Sequence, residues 1–130
     1  MRKNRVLAFS CVHAPAMHED FPAFLRRVAR DFNINKVVCL GDLFDWASLS
    51  YHEKPYTTPN PQDELKQALR QIKQLHKSFP QADWLIGNHD ANPVRKARTA
   101  GLNEDIIAKA YEEIYGLKGW KTHARFSQLE

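Results

Sequence analysis

The segment Gly41-Asp42-Leu43-Phe44-Asp45 constrains the fold of this chain more than any other. It follows residues 36–40, an apolar run that predicts a buried β-strand. The glycine ends this strand and permits a sharp turn, because it has no Cβ that could clash. Asp42 then lies at the carboxyl end of the strand, where open α/β sheets place their ligand sites. Taken alone, this carboxylate could be a metal ligand, a catalytic base or a cap for the segment that follows.

Two further polar segments stand in the same position, each directly after a predicted strand. They are Ser10-Cys11-Val12-His13, after residues 5–10, and Gly87-Asn88-His89-Asp90, after residues 82–86. Three parallel strands would deliver their loops to one edge of the sheet, which would then carry Cys11, His13, Asp42, Asp45, Asn88, His89 and Asp90. Imidazole, carboxylate and amide oxygen are ligands that first-row metals accept, and a carboxylate that bridges two ions suits in-line attack at phosphorus.

Helical patterns separate these strands. Apolar spacing predicts an amphipathic helix from about Asp20, with Phe21, Phe24, Leu25, Val28 and Phe32 on one stripe. A longer helix is expected from the N-cap Asn60 and Pro61 down to Pro80. The alternation of strands and helices predicts an α/β fold, a βαβαβ unit with a mainly parallel sheet and helices on its faces. Residues 41–60 form a long loop whose aromatic side chains line a cleft or, for most of them, pack onto the sheet.

The part of the chain after residue 90 is expected to hold two helices and a strand. A short basic helix at residues 93–100 closes at Gly101, a second helix runs from Asn103 to about Gly116, and residues 120–128 form a final strand. The short helix carries three cations, which either meet a phosphate or form a solvated face: Arg95, Lys96 and Arg98.

Composition narrows the class of protein. A length of 130 residues predicts a single domain, 1–130, large enough for a real core. No apolar run approaches the ~20 residues that cross a bilayer, and the basic N-terminus lacks a signal-peptide core, so we expect a cytoplasmic protein without a membrane partner. Two cysteines do not make a disulfide framework in a cytoplasmic protein. Cys39 is interpreted as a small core residue. The net charge of +4 suits an anionic partner but does not identify one.

The segments at Gly41 and Gly87 resemble the two central motifs of the calcineurin-like metallophosphoesterases. Ser10-Cys11-Val12-His13 is similar to the first motif of that family, normally Asp-x-His, with Cys11 in place of the aspartate. The resemblance covers residues 5–90 and implies the N-terminal half of a metallophosphoesterase sandwich. It also implies metal-dependent hydrolysis of phosphoester bonds, with two divalent ions in a complete domain, which would be manganese, iron, zinc or nickel.

The resemblance also implies a role for each matching residue. His13 would bind the first metal, Asp42 would bridge both, and Asn88 would bind the second. His89 would face the scissile phosphate as an electrostatic stabiliser or general acid, and Asp45 would orient it. Asp90 matches the acidic end of its motif but is assigned no chemical step. Cys11 is either a thiolate ligand or a small buried residue.

Two departures from the family leave the enzyme assignment open. The family's later single histidine and its Gly-His-x-His motif are absent, and His123 is interpreted as an ordinary surface histidine. We therefore expect 1–130 to be an incomplete or truncated domain without a full dinuclear site. The alternative to an enzyme is a catalytically inactive relative that acts as a binding or inhibitory module.

Two kinds of partner are expected. They are a phosphorylated substrate, which could be a nucleotide, a nucleic acid or a phosphoprotein, and a protein partner or second copy across an uncovered sheet face.

Overall fold

Four strands form one sheet in the order β1-β2-β3-β4, and every neighbouring pair is parallel. The computed structural model describes residues 3–103, 105, 113 and 115–124. The strands are β1 (Val6–Phe9), β2 (Lys36–Cys39), β3 (Ala82–Leu85) and β4 (Trp120–His123). The predicted α/β class with a parallel sheet is confirmed.

Among the described residues, three α-helices lie between these strands, namely α1 (Phe21–Asp31), α2 (Pro61–Ser78) and α3 (Asn92–Thr99). The start of α2 follows the predicted capping chemistry, because the Asn60 side chain accepts a hydrogen bond of 2.9 Å from the Asp63 backbone N–H. The helix expected after Asn103 falls mostly outside the described residues, as do residues 125–128 of the expected last strand.

The described helices lie on one face of the sheet. Sequential strands that are neighbours, joined by right-handed crossovers, place every connecting helix on the same side. The alternation of burial agrees, since Leu7 and Phe9 of β1 are buried whereas Val6 is 48% exposed. Trp84 and Trp120 complete the core beneath the helices. The opposite face is covered by no helix of the described part of the chain.

The apolar stripe predicted for α1 is only partly buried. Leu25 lies in the core, but Phe24 is 59% and Phe32 is 66% exposed. Phe32 lies just beyond the last helical residue, Asp31, so it no longer follows the helical face that meets the sheet.

The long loop after β2 is anchored from two sides. The buried carboxylate of Glu64 on α2 accepts hydrogen bonds from the backbone N–H groups of Ala47 and Ser48, at 2.6 and 2.9 Å. The Trp46 indole is buried and donates to the Tyr115 hydroxyl at 3.2 Å. Packing of the loop onto the sheet is thus confirmed for Trp46, whereas Tyr56 is fully exposed.

Two further predictions can be compared with the fold. Cys39 is a fully buried core residue, as expected, and burial raises the pKa of its thiol to about 12. Among the described helices, none combines the length and the apolar character that crossing a membrane requires.

Candidate metal centre

The loops after β1 and β2 run side by side beyond the ends of their strands. His13 donates its backbone N–H to the carbonyl of Asp42, Ala14 donates to Leu43, and Asp45 donates back to Ala14, each at 3.0 Å. These bonds extend the parallel pairing of the two strands into the loops. They fix the backbone of His13 beside that of Asp42.

The third loop approaches through two glycines. A Cβ on Gly41 would lie 2.9 Å from the Cα of Gly87, and a Cβ on Gly87 would collide with the backbone nitrogen and Oδ1 of Asp42. Only glycine allows this close contact between the loops after β2 and β3. The contact lets the backbone N–H of His89 donate to Oδ1 of Asp42 at 2.9 Å.

Two overlapping groups of side chains result. Cys11, His13 and Asp42 each offer one potential ligand atom, and these atoms lie within 4.8 Å of one another. His13, Asp45 and His89 form a second group within the same limit. Sulfur, imidazole nitrogen and carboxylate oxygen suit zinc, iron and related metals, so the donor set fits a divalent ion.

The remaining two residues of the third loop lie differently. Asn88 is exposed on the turn that carries His89, whereas Asp90 points into the core.

Asp45 contacts both imidazoles. Its Oδ1 lies 2.9 Å from Nδ1 of His13, and its backbone carbonyl lies 2.8 Å from Nδ1 of His89. A carbonyl oxygen only accepts, so Nδ1 of His89 carries the proton and Nε2 of the neutral ring is left as an acceptor. The carboxylate is also 3.3 Å from His89. The resemblance led us to expect Asp45 beside His89 but gave no sign that the Asp45 carboxylate lies closer to His13 than to His89.

Backbone strain is concentrated at the same residues. Cys11, His13 and Asp42 have φ angles of 54°, 49° and 54°, in the left-handed region that favours glycine. Each such residue costs about 1–3 kcal/mol, and strain of this kind clusters at functional sites. The strain is accounted for by the inter-loop hydrogen bonds, which fix these conformations.

Asp90 holds the loops together from below. Its fully buried carboxylate accepts hydrogen bonds from the backbone N–H of Phe44 at 2.9 Å, from the N–H of Gly87 at 2.9 Å and from the Trp84 indole at 3.2 Å. Burial raises the pKa of Asp90, and these hydrogen bonds oppose that shift. Sequence reasoning gave Asp90 no chemical step, and its contacts are those of a residue that ties the second loop to the third.

We expect Asp90→Ala to lower the free energy of unfolding by about 3–5 kcal/mol, because it leaves three N–H donors without their acceptor and each unsatisfied buried donor costs about 1–3 kcal/mol. Urea denaturation followed by tryptophan fluorescence measures this loss. Asp20→Ala is the matched control, since Asp20 is exposed and makes no side-chain cap bond at the start of α1. A loss below about 1 kcal/mol, typical of a surface substitution, would contradict the anchoring role.

His123, interpreted from the sequence as an ordinary surface histidine, has a close partner in the structure. It is partly buried at the end of β4, and its Nε2 lies 2.7 Å from Oδ1 of Asp83. Lys36 approaches the same carboxylate at 3.5 Å. His123 belongs to neither group of potential ligands found among the described residues.

One protein-family model, described as calcineurin-like phosphoesterase, matches residues 4–128 of the chain. This range includes all three loops of the site and all four strands. No curated protein and no solved structure matches the chain significantly.

Proposed function

The chain belongs to the calcineurin-like phosphoesterase family, and we propose that its site hydrolyses phosphoester bonds with the help of bound divalent metal ions. The observation that supports this most strongly is the group formed by Cys11, His13 and Asp42, with potential ligand atoms within 4.8 Å of one another. The group lies where three parallel strands end, and that is the usual position of a ligand site in an α/β sheet.

His13, Asp42 and Asn88, with Cys11 as a thiolate ligand, are the residues that would hold the metal. Bound ions of this kind polarise phosphoryl oxygens and make water a better nucleophile at neutral pH. Nitrogen and oxygen donors suit manganese, iron, zinc or nickel, and a thiolate shifts the preference toward zinc and iron.

The two best-placed ligands are held by neighbouring groups. Asp45 fixes the ring of His13 through Nδ1, which leaves Nε2 for a metal, as is usual when a carboxylate orients a metal-binding histidine. Asp42 uses one lone pair for the His89 N–H, and a carboxylate has about four such sites. Both ligands therefore keep binding capacity in the geometry that the loops impose.

His89 is the candidate for proton transfer or charge stabilisation at the phosphate. Its Nδ1 is held by the Asp45 carbonyl, so Nε2 is the atom that would reach the substrate. In the protonated ring, Nε2–H can stabilise developing negative charge or protonate the leaving oxygen. Asp45 acts on His89 as a positioning residue.

A hydrolysis assay tests the proposal. With Mn²⁺ added, we expect the protein to hydrolyse p-nitrophenyl phosphate or its bis-ester slowly, because the later histidine motifs of the family are absent from the sequence. Hydrolysis should stop when EDTA is added and recover with excess Mn²⁺. Turnover that survives EDTA would contradict a metal-dependent mechanism.

A second candidate function is that of a non-catalytic binding module. It is supported by Cys11 in place of the family's aspartate and by the sheet face that no described helix covers, where Val6 is half exposed. Tight metal binding without turnover of either ester would favour this alternative over the enzyme.

The two cysteines should differ sharply in reactivity. At pH 8 we expect iodoacetamide to modify the exposed Cys11, whereas Cys39 stays unmodified in the folded protein, because its raised pKa of about 12 keeps the buried thiol neutral. If Cys11 is a ligand, Zn²⁺ should slow its modification at least tenfold.

Peptide mass spectrometry over time measures both rates, and denatured protein, in which both thiols react, is the control. Cys11→Ser should in parallel weaken zinc binding more than manganese binding. An unchanged rate at Cys11 with saturating Zn²⁺ would show that its thiolate is not a ligand.

A further inference from the structure

A basic and aromatic surface lies on α3, the helix that begins three residues after His89. We call it the Tyr51 patch, and its residues are Tyr51, Arg95, Lys96 and Arg98. Tyr51 comes from the long loop after β2, and the three cations come from α3. The helix contains no acidic residue, so its positive charge is not neutralised along its own length.

Tyr51 is fixed on the helix but remains accessible. Lys96 Nζ lies 3.8 Å and Arg95 Cζ lies 4.9 Å from the centroid of its ring. The Thr99 hydroxyl donates to the Arg95 carbonyl at 3.0 Å, so the Tyr51 hydroxyl, 2.9 Å from Thr99 Oγ1, is the donor to Thr99. Tyr51 is nevertheless 49% exposed. The ring is thus held in one orientation with part of its surface open to a ligand.

The Tyr51 patch is connected to the site by short, hydrogen-bonded backbone. The Asn92 N–H that opens α3 donates to the carbonyl of His89 at 3.0 Å, and the Ala91 N–H donates to Gly87 at 3.1 Å. Arg95 lies three residues into the helix, which is about 5 Å along its axis. A ligand longer than one phosphoester could therefore occupy the site and the patch together.

The combination of features favours a polynucleotide. A single phosphate bound at the metal centre would make no use of the cations of α3. A phosphopeptide usually carries one phosphate as well. A nucleic acid strand carries a phosphate at every residue and a base that can stack on an aromatic ring, and proteins that bind single strands combine a basic surface with such rings.

We propose that the Tyr51 patch binds single-stranded nucleic acid, with Tyr51 stacking on a base and the cations of α3 contacting neighbouring phosphates. The substrate of the site is then a phosphoester of a nucleic acid strand. This last step rests on the proposed phosphoesterase function, whereas the binding itself does not.

The test measures binding without catalysis. Fluorescence anisotropy of a labelled 12-residue oligothymidylate is recorded in EDTA for the wild type and for the double variant Arg95→Ala/Lys96→Ala. We expect the double variant to bind at least tenfold more weakly. Its plot of log affinity against log salt concentration should be shallower by about 1.4, or about 0.7 for each lost phosphate contact.

Matched controls separate local contacts from net charge. Lys66→Ala/Lys73→Ala removes two exposed charges from α2 and should bind nearly as the wild type does. Tyr51→Ala should weaken binding about 5- to 150-fold with an unchanged salt slope, since it removes stacking but no charge. Tyr51→Phe keeps the ring and should bind within about threefold of the wild type.

Equal affinities of the α3 and α2 double variants would overturn the proposal, and so would wild-type binding by Tyr51→Ala. A singly phosphorylated peptide that binds more tightly than the oligonucleotide would overturn it in favour of a phosphoprotein. Because EDTA removes metal from the assay, failure of ester hydrolysis leaves this result unaffected. The two proposals can therefore fail independently.

Discussion

Replacing Asp42 with asparagine is expected to weaken metal binding more than 100-fold while the chain remains folded. The asparagine side-chain oxygen can still accept the His89 N–H that Oδ1 accepts at 2.9 Å, so the loop contact survives. The substitution removes the negative charge that Asp42 contributes to the Cys11–His13–Asp42 group. Loss of a residue that only orients a ligand typically costs about 10–100-fold in affinity, and loss of the ligand itself should cost more. Turnover should disappear together with the metal.

Elemental analysis after purification without chelator, followed by calorimetric titration with Mn²⁺ and Zn²⁺, measures this effect. Asp31→Asn, at the exposed end of α1, is the charge-matched control and should bind metal as the wild type does. Asp45→Asn should fall between them, because Asp45 acts through His13. Unchanged metal content in Asp42→Asn, with a native circular dichroism spectrum, would show that Asp42 is not a ligand.

The parts of the fold that sequence reasoning predicted are those with a local signal. The first three strands and their polar loops were recognisable because each apolar run is followed within a few residues by groups of metal-ligand chemistry. The start of α2 was recognisable because Asn60 and Pro61 provide a cap and a first helical residue next to each other. The parallel pairing of the strands was predictable because neighbouring strands joined by a helical crossover run in the same direction.

The parts that were missed depend on contacts between residues distant in sequence. The left-handed conformations of Cys11 and His13 are held by hydrogen bonds to the loop that contains Asp42, about thirty residues later. The burial of Asp90 depends on donors from Phe44 and Trp84. Only the close contact between the loops after β2 and β3 is marked in the sequence, because Gly41 and Gly87 occupy the points where these loops touch.

The family match covers more of the chain than the three motifs do. The resemblance rested on residues 5–90, whereas the matched range runs to residue 128 and includes β4. The sequence after residue 90 has no recognisable motif, and its strand Trp120–His123 joins the sheet through register with β3. Strand pairing of this kind is a long-range property that a single sequence indicates only weakly.

His89→Ala is expected to lower turnover by about 10²–10⁴-fold, the usual contribution of a general acid or base, while metal affinity changes by less than about threefold. The substitution spares the Asp42 contact, because that hydrogen bond comes from the backbone N–H of His89 and not from its ring. It removes the imidazole whose Nδ1 bonds to the Asp45 carbonyl and whose Nε2 would meet the phosphate.

Steady-state kinetics with the better of the two chromogenic esters, together with a metal titration of the same preparation, separates chemistry from metal binding. Asp45→Asn is the informative comparison, since the carbonyl that holds His89 is unchanged by this substitution while the carboxylate that holds His13 is not. Its turnover at saturating metal should therefore fall less than that of His89→Ala, whereas its metal affinity should fall more. If His89→Ala instead loses metal in proportion to turnover, His89 is a ligand within the group that it forms with His13 and Asp45. In that case its proposed role at the phosphate is wrong, because the nitrogen assigned to the substrate would be bound to the ion.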